Sequence, residues 1–96
     1  MNSIIDIVPE LLNRTRNNNI DWDDTNTPCY YTSYNNHKLV ICRVPTANGK
    51  IAISLNYLDD NYYIIGSPNK WENDQPDYSV VNELYDEVAN KKVAHA

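Results

Sequence analysis

The 96-residue chain has no Phe, two Gly, two Cys and one Met, and most of these shortages close off a class of function. Two glycines cannot build a glycine-rich loop that cradles phosphates. Two cysteines without a Cys-x-x-Cys spacing supply neither a zinc-ligand pattern nor a thioredoxin-like motif. No apolar run approaches the roughly 18 residues a membrane-spanning helix needs, so no membrane partner is expected. The start, Met1-Asn2-Ser3-Ile4-Ile5-Asp6, lacks the basic residues and long apolar stretch of a secretory signal, and a cytoplasmic location is expected. Basic residues are also in deficit. Eight Lys and Arg face 13 Asp and Glu, a formal charge of −5 and a pI of about 4.7. That balance repels phosphate backbones, so no nucleic-acid partner is expected.

What is present fits one globular domain spanning residues 1–96. Hydrophobic residues at 42% and charged residues at 22% argue against disorder, and the length suits one modest core. The chain carries 15 Asn and eight Tyr. A bias toward Asn, Ile, Lys and Tyr is what AT-rich codons give, pointing to a low-GC bacterium or its phage. Tyrosine with no phenylalanine matters more physically. A phenolic hydroxyl wants water or a partner, so such residues favour half-buried positions and interfaces.

Ile4, Ile5, Val8, Leu11, Leu12 and Thr15 recur at helical spacing and predict a helix over Ser3 to Asn17. Pro9 is tolerated if the helix begins near Asp6, or if it begins near Ser3 and kinks before the proline. Asn17-Asn18-Asn19 stops it. Ile20-Asp21-Trp22-Asp23-Asp24 reads as a connector. Its acids lack the central Gly and distal Glu of a calcium loop, so no metal is expected.

From Cys29 to Gly66 the period changes to two, with four strands at about Cys29–Tyr34, His37–Val44, Lys50–Leu58 and Asn61–Gly66. Asn35-Asn36, Asn48-Gly49 and Asp59-Asp60 read as two-residue turns. Residues 67–76 read as a loop, and Asp77 caps a second helix over Tyr78 to Lys92 with Val81, Leu84, Tyr85 and Val88 inward.

Turn lengths fix register. Three two-residue turns pair Cys29 with Cys42, Val44 with Ile53 and Tyr57 with Tyr62. They place Val40, Cys42, Ile53 and Leu55 on one face, beneath both helices. The expected fold is an α+β two-layer sandwich in the order αββββα. The opposite face is left open, bearing Tyr30, Tyr34, Leu39, Ile41, Arg43, Tyr63 and Ile65, and it is the expected binding surface.

Cys29 and Cys42 oppose each other closely enough to bond. They are a possible redox pair, although a cytosolic location favours two reduced thiols acting as small core residues. His37 lies on the other face from the cysteines, His95 is next to last, and no serine has a nucleophile context. Paired acids occur only in turns and caps, so no catalytic residues and no cofactor are expected.

Leu11-Leu12-x-x-Thr15, Ile20-x-Trp22, a meander and a closing Leu84-Tyr85-x-x-Val88 helix resemble small uncharacterised bacterial α+β proteins. The resemblance implies the architecture and carries no functional residue. The leading expectation is therefore a non-enzymatic protein-interaction module that pairs with itself or a protein partner through the open face. The alternative is an acidic inhibitor or immunity-type protein, presenting Asp21-Trp22-Asp23-Asp24 to a basic site on an enzyme. An enzymatic reading would need a pocket joining His37, Arg43 and a carboxylate.

Overall fold

A computed structural model describes residues 3–26 and 28–94. One turn of 3-10 helix, Ile4–Ile7, leads into α1, Val8–Arg16. The Ser3 backbone N–H donates to the Asp6 carboxylate at 3.2 Å. Pro9 falls in the first turn of α1, where its missing N–H would have had no helical partner. The other end closes as the asparagines predict. Asn18 takes φ 59° and the Asn19 N–H reaches back to the Arg14 carbonyl at 2.8 Å, a left-handed helix cap.

Five strands follow: β1 (Asp23–Asn26), β2 (Cys29–Tyr34), β3 (His37–Pro45), β4 (Ile51–Leu58) and β5 (Lys70–Glu72). They form one antiparallel meander in the order β1-β2-β3-β4-β5. The last element is α2, Tyr78–Ala94. His95 lies outside the described residues. No described helix is long and apolar enough to cross a membrane. The count differs from four because the acidic connector ends in an edge strand, Asp23 pairing with Tyr31. The expected fourth strand also shrinks, to a bridge between Ile64 and Leu58, and β5 takes over the edge.

The first hairpin has the expected register. Asn35 and Asn36 both have positive φ, 53° and 63°, and Tyr34 pairs with His37 and Cys29 with Cys42. The second does not. Thr46 and Lys50 close a three-residue loop in which the Gly49 N–H bonds the Thr46 carbonyl at 3.2 Å and the Thr46 N–H bonds the Lys50 carbonyl at 2.7 Å. Gly49, at φ 77°, supplies the left-handed residue that such a loop requires. Val44 therefore pairs with Ala52 rather than Ile53, and Ile41 rather than Cys42 faces Leu55.

A slip of one residue exchanges faces. Val40 and Leu55 now point to opposite sides of the sheet, and both helices cover the flank carrying Tyr30 and Ile41. The open-face expectation is corrected accordingly. Leu39 and Ile41 are fully buried, and Tyr30 and Tyr34 nearly so. They join Val8, Leu11, Ile53, Leu55, Val81, Leu84 and Val88 in one core.

Tyr34 and Tyr85 keep their hydroxyls satisfied at the rim, as an amphipathic ring should. Tyr34 donates to the Glu10 carboxylate, and Tyr30 meets Tyr85 edge-on at 5.4 Å. The Tyr85 hydroxyl donates to the Pro28 carbonyl at 2.8 Å, and burial pushes its pKa above the ordinary phenol value. Arg43, also expected on an open face, reaches α2 instead. Its Nη1 donates to Asp86 at 2.7 Å and Asn82 at 3.0 Å, with the guanidinium 4.4 Å from the Tyr85 ring centre.

Cys29 and Cys42 are bonded to each other. This corrects the expectation of two reduced thiols. The bond lies on the outer face, away from the helices, in line with Tyr31 on β2 and Val40 on β3.

One buried polar chain anchors the connector. The Trp22 indole N–H donates to the Thr15 hydroxyl at 3.0 Å, which donates to the Leu11 carbonyl at 2.7 Å. Thr15→Val keeps the shape and removes the acceptor, stranding a buried donor. It is expected to cost about 1–3 kcal/mol, read by urea denaturation. A variant as stable as the parent would mean that the indole had found another partner.

Candidate functional site

Of the seven residues expected to form a binding face, the structure leaves Tyr63 and Ile65 well exposed, at 70% and 46%. They belong to a loop, not a strand, and the local chemistry explains why. Asp59 does not sit in a two-residue turn. Its carboxylate accepts the backbone N–H groups of Asn61 at 2.9 Å and Tyr63 at 3.0 Å. Its backbone exchanges bonds with Tyr62 and Tyr63 at 3.0 and 2.9 Å. An aspartate used this way substitutes for a backbone turn and lengthens it. Tyr62 consequently sits at φ 67°, a region a bulky side chain rarely enters.

Beyond Tyr63 the chain returns to the sheet edge, where the Ile65 N–H bonds the Tyr57 carbonyl at 2.9 Å. It leaves again at Gly66, with φ 78°. The buried Asn56 side chain accepts the Asn69 N–H at 2.7 Å and fixes where the chain rejoins as β5. The result is an ordered loop displaying Tyr62, Tyr63, Ile64 and Ile65 in succession, each 41–70% exposed.

Beside this loop lies a groove of about 540 Å³, within the size range of ligand-binding clefts. The connector contributes Ile20, Asp21, Trp22 and Asp23 to one wall, and α1 contributes Arg14. The sheet contributes Tyr31, Thr32, Ser33 and Lys38, and the loop contributes Tyr62. The connector is held by the Thr15–Trp22 chain and by the Thr32 hydroxyl, which donates to the Asp21 carbonyl at 2.6 Å. A smaller cavity of about 190 Å³ shares Ile20, Asp21 and Trp22 and opens toward Lys91 and Lys92.

The charges in the groove are unevenly matched. Arg14 lies 3.5 Å from Glu10 and 5.3 Å from the Tyr34 ring centre. Lys38 lies 3.8 Å from Asp60 and 5.0 Å from the Tyr62 ring centre. Tyr62 in turn meets Tyr31 edge-on, the rings 6.2 Å apart. The Asp21 carboxylate makes no ion pair or hydrogen bond with any described residue.

Ser33 and Lys38 face each other across β2 and β3, but the ammonium is directed to Tyr62 and Asp60, with no hydrogen bond to the serine. A nucleophile and its base need to be within hydrogen-bond reach. His37 and Arg43 are also kept apart. His37 meets the Tyr57 ring edge-on, the centres 5.7 Å apart, whereas Arg43 is engaged by α2. Among the described residues no three His, Cys, Asp or Glu side chains converge to hold a metal ion.

Tyr31, Lys38 and Tyr62 were not among the residues singled out from the sequence as a binding surface, and Trp22 entered only within the acidic Asp21-Trp22-Asp23-Asp24 segment. The signal for the loop was its unbroken Tyr-Tyr-Ile-Ile run, which a strand with one wet face would have interrupted with polar residues. Compared with known protein families, curated proteins and solved structures, the chain matches none.

Proposed function

We propose that the chain is a non-enzymatic protein-interaction domain that docks a positively charged partner on the Tyr62–Ile65 loop and the groove beside it. The observation that carries this reading is the loop itself: four consecutive large apolar side chains held in water by a backbone that is hydrogen-bonded on both sides. Contiguous exposed apolar surface marks interaction sites, and tyrosine is enriched at interface centres.

Charge separates the possible partners. Asp59 and Asp60 open the loop, Asp21 lines the groove, all three are exposed, and the whole chain carries −5. A second copy docked face to face would set these carboxylates against each other, so a basic partner is favoured over a homodimer. The acidic-inhibitor reading uses this same surface, with the basic partner being an enzyme. The exposed acids flanking Trp22 favour it.

A displayed random-peptide library selected on the immobilised domain tests the reading. Binders are expected to be enriched, and the double variant Tyr63→Asp/Ile65→Asp is expected to bind them at least about tenfold more weakly. Affinity is expected to fall as salt is raised, because exposed charges are screened. Binders indifferent to the double variant would place docking elsewhere and overturn the proposal.

A further inference from the structure

We infer that the groove accepts one cationic side chain of the partner, arginine in preference to lysine, on the face of Tyr62, and that Lys38 occupies this place in the free domain. The inference rests on the docking surface proposed above and names the chemistry of one of its contacts.

Lys38 acts as a stand-in ligand. Its ammonium is 5.0 Å from the Tyr62 ring centre and 3.8 Å from an Asp60 oxygen, the combination of aromatic face and carboxylate that recognises cations. The arrangement around it is built to present that face. Tyr62 is held at φ 67° by the Asp59 turn, which returns its ring over the sheet, where Tyr31 supports it edge-on. Backbone outliers that the surrounding structure enforces tend to sit at functional sites.

Lys38 is held only weakly. The Asp60 side chain is fully exposed, and ion pairs of that kind are largely offset by hydration and side-chain entropy. A guanidinium is less strongly hydrated than an ammonium and stacks flat on an aromatic ring, so it can displace the lysine. The groove also offers the arriving cation an unused carboxylate, Asp21, whereas Arg14 is already matched by Glu10.

The decisive measurement is an NMR titration of the full chain with N-acetyl-arginine amide. N-acetyl-lysine amide and N-acetyl-glutamate amide serve as charge controls, and N-acetyl-norleucine amide is the uncharged apolar control. Arginine amide is expected to shift the Tyr31 and Tyr62 ring signals and the Asp21 amide, more strongly than lysine amide. The glutamate and norleucine compounds should leave them in place. Lys38→Met is expected to tighten arginine-amide binding by about fivefold, the scale of one exposed cation–aromatic contact. Tyr62→Leu should abolish the response and Tyr62→Phe should keep it.

Equal response to norleucine amide, or a Lys38→Met variant that binds no better, would overturn the inference. Library binders that depend on Tyr63 and Ile65 yet lack Arg and Lys would also overturn it while leaving loop docking in place. Loss of loop docking with the arginine response intact would instead count against the proposed function alone.

Discussion

Ile41→Asp is expected to leave the chain unfolded at room temperature, while Tyr63→Asp melts within about 0.5 kcal/mol of the parent. Ile41 has no exposed surface. It lies between Tyr30 on β2 and Leu55 on β4 and belongs to the core over which both helices pack. A carboxylate there would be stripped of water with no cation provided for it, at a cost of several kcal/mol. The lost isoleucine packing adds about 2–5 kcal/mol. Domains of this size have about 5–15 kcal/mol of stability in total, so the two losses together are enough to unfold it. Tyr63 is 70% exposed, and its replacement removes little that the fold uses.

Far-UV circular dichroism with thermal denaturation distinguishes the two variants. The pair also tests the strand register. With the helices on the Val40 and Cys42 side, Ile41→Asp would sit in water and melt like the parent. A cooperative transition near the parent's temperature would therefore refute the buried position of Ile41 and the three-residue Ala47–Gly49 loop behind it.

How much of this fold could be read from the sequence turns on that loop. Helical spacing, asparagine caps and the alternation of strands are local signals. They located α2, the β2–β3 hairpin, and the 3-10 turn and α1 taken together to within a residue or two. Asn-Gly, however, is compatible with two loop lengths: a two-residue type I′ turn, or a type I turn ending in a left-handed glycine. Residues 46–49 do not choose between them. The choice is made across the sheet, where one register buries Leu39, Ile41, Ile53 and Leu55 together and the other mixes them with Val40 and Cys42. Both faces are apolar enough on β3 to look like a core. Cys42 and Val44 offered as good a stripe as Leu39 and Ile41, and only the pairing with β4 decides which is covered.

The docking surface was harder to read for a related reason. Tyr30 and Tyr34 look like interface tyrosines in a list of residue types. In the structure the Tyr34 hydroxyl finds Glu10 and the Tyr30 ring packs edge-on against Tyr85, so both rings become core. Tyr62, Lys38 and Asp21 come from three separate segments and meet only because the Asp59 turn is longer than two residues. No spacing along the chain records that meeting. The acids around Trp22 were visible, but their place on the rim of a groove depends on the Thr15–Trp22 hydrogen bond, a contact between a helix and its own connector.

The cross-strand bond between Cys29 and Cys42 should account for a large share of the remaining stability. It closes a loop with a sequence separation of 13. For about 15 residues the restriction of the unfolded chain is worth about 3 kcal/mol. In a domain of this size that corresponds to a melting temperature lower by about 10–20 °C when the bond is removed. Part of this is offset, because the enclosed segment is the β2–β3 hairpin itself. Asn35-Asn36 favours its turn even in the unfolded chain, and residual structure there reduces what the cross-link removes. The expected loss for Cys29→Ala/Cys42→Ala is thus in the lower half of that range, with the fold retained. The bond lies on the outer face beside Tyr31 and Val40, so no helix contact depends on it. Thermal denaturation of the parent with and without a dithiol reductant, alongside the double variant, measures the effect. If the reduced parent and the double variant both melt with the oxidised parent, the bond contributes nothing. If either is unfolded at 25 °C, the hairpin and its helices are too weak to hold the sheet without it.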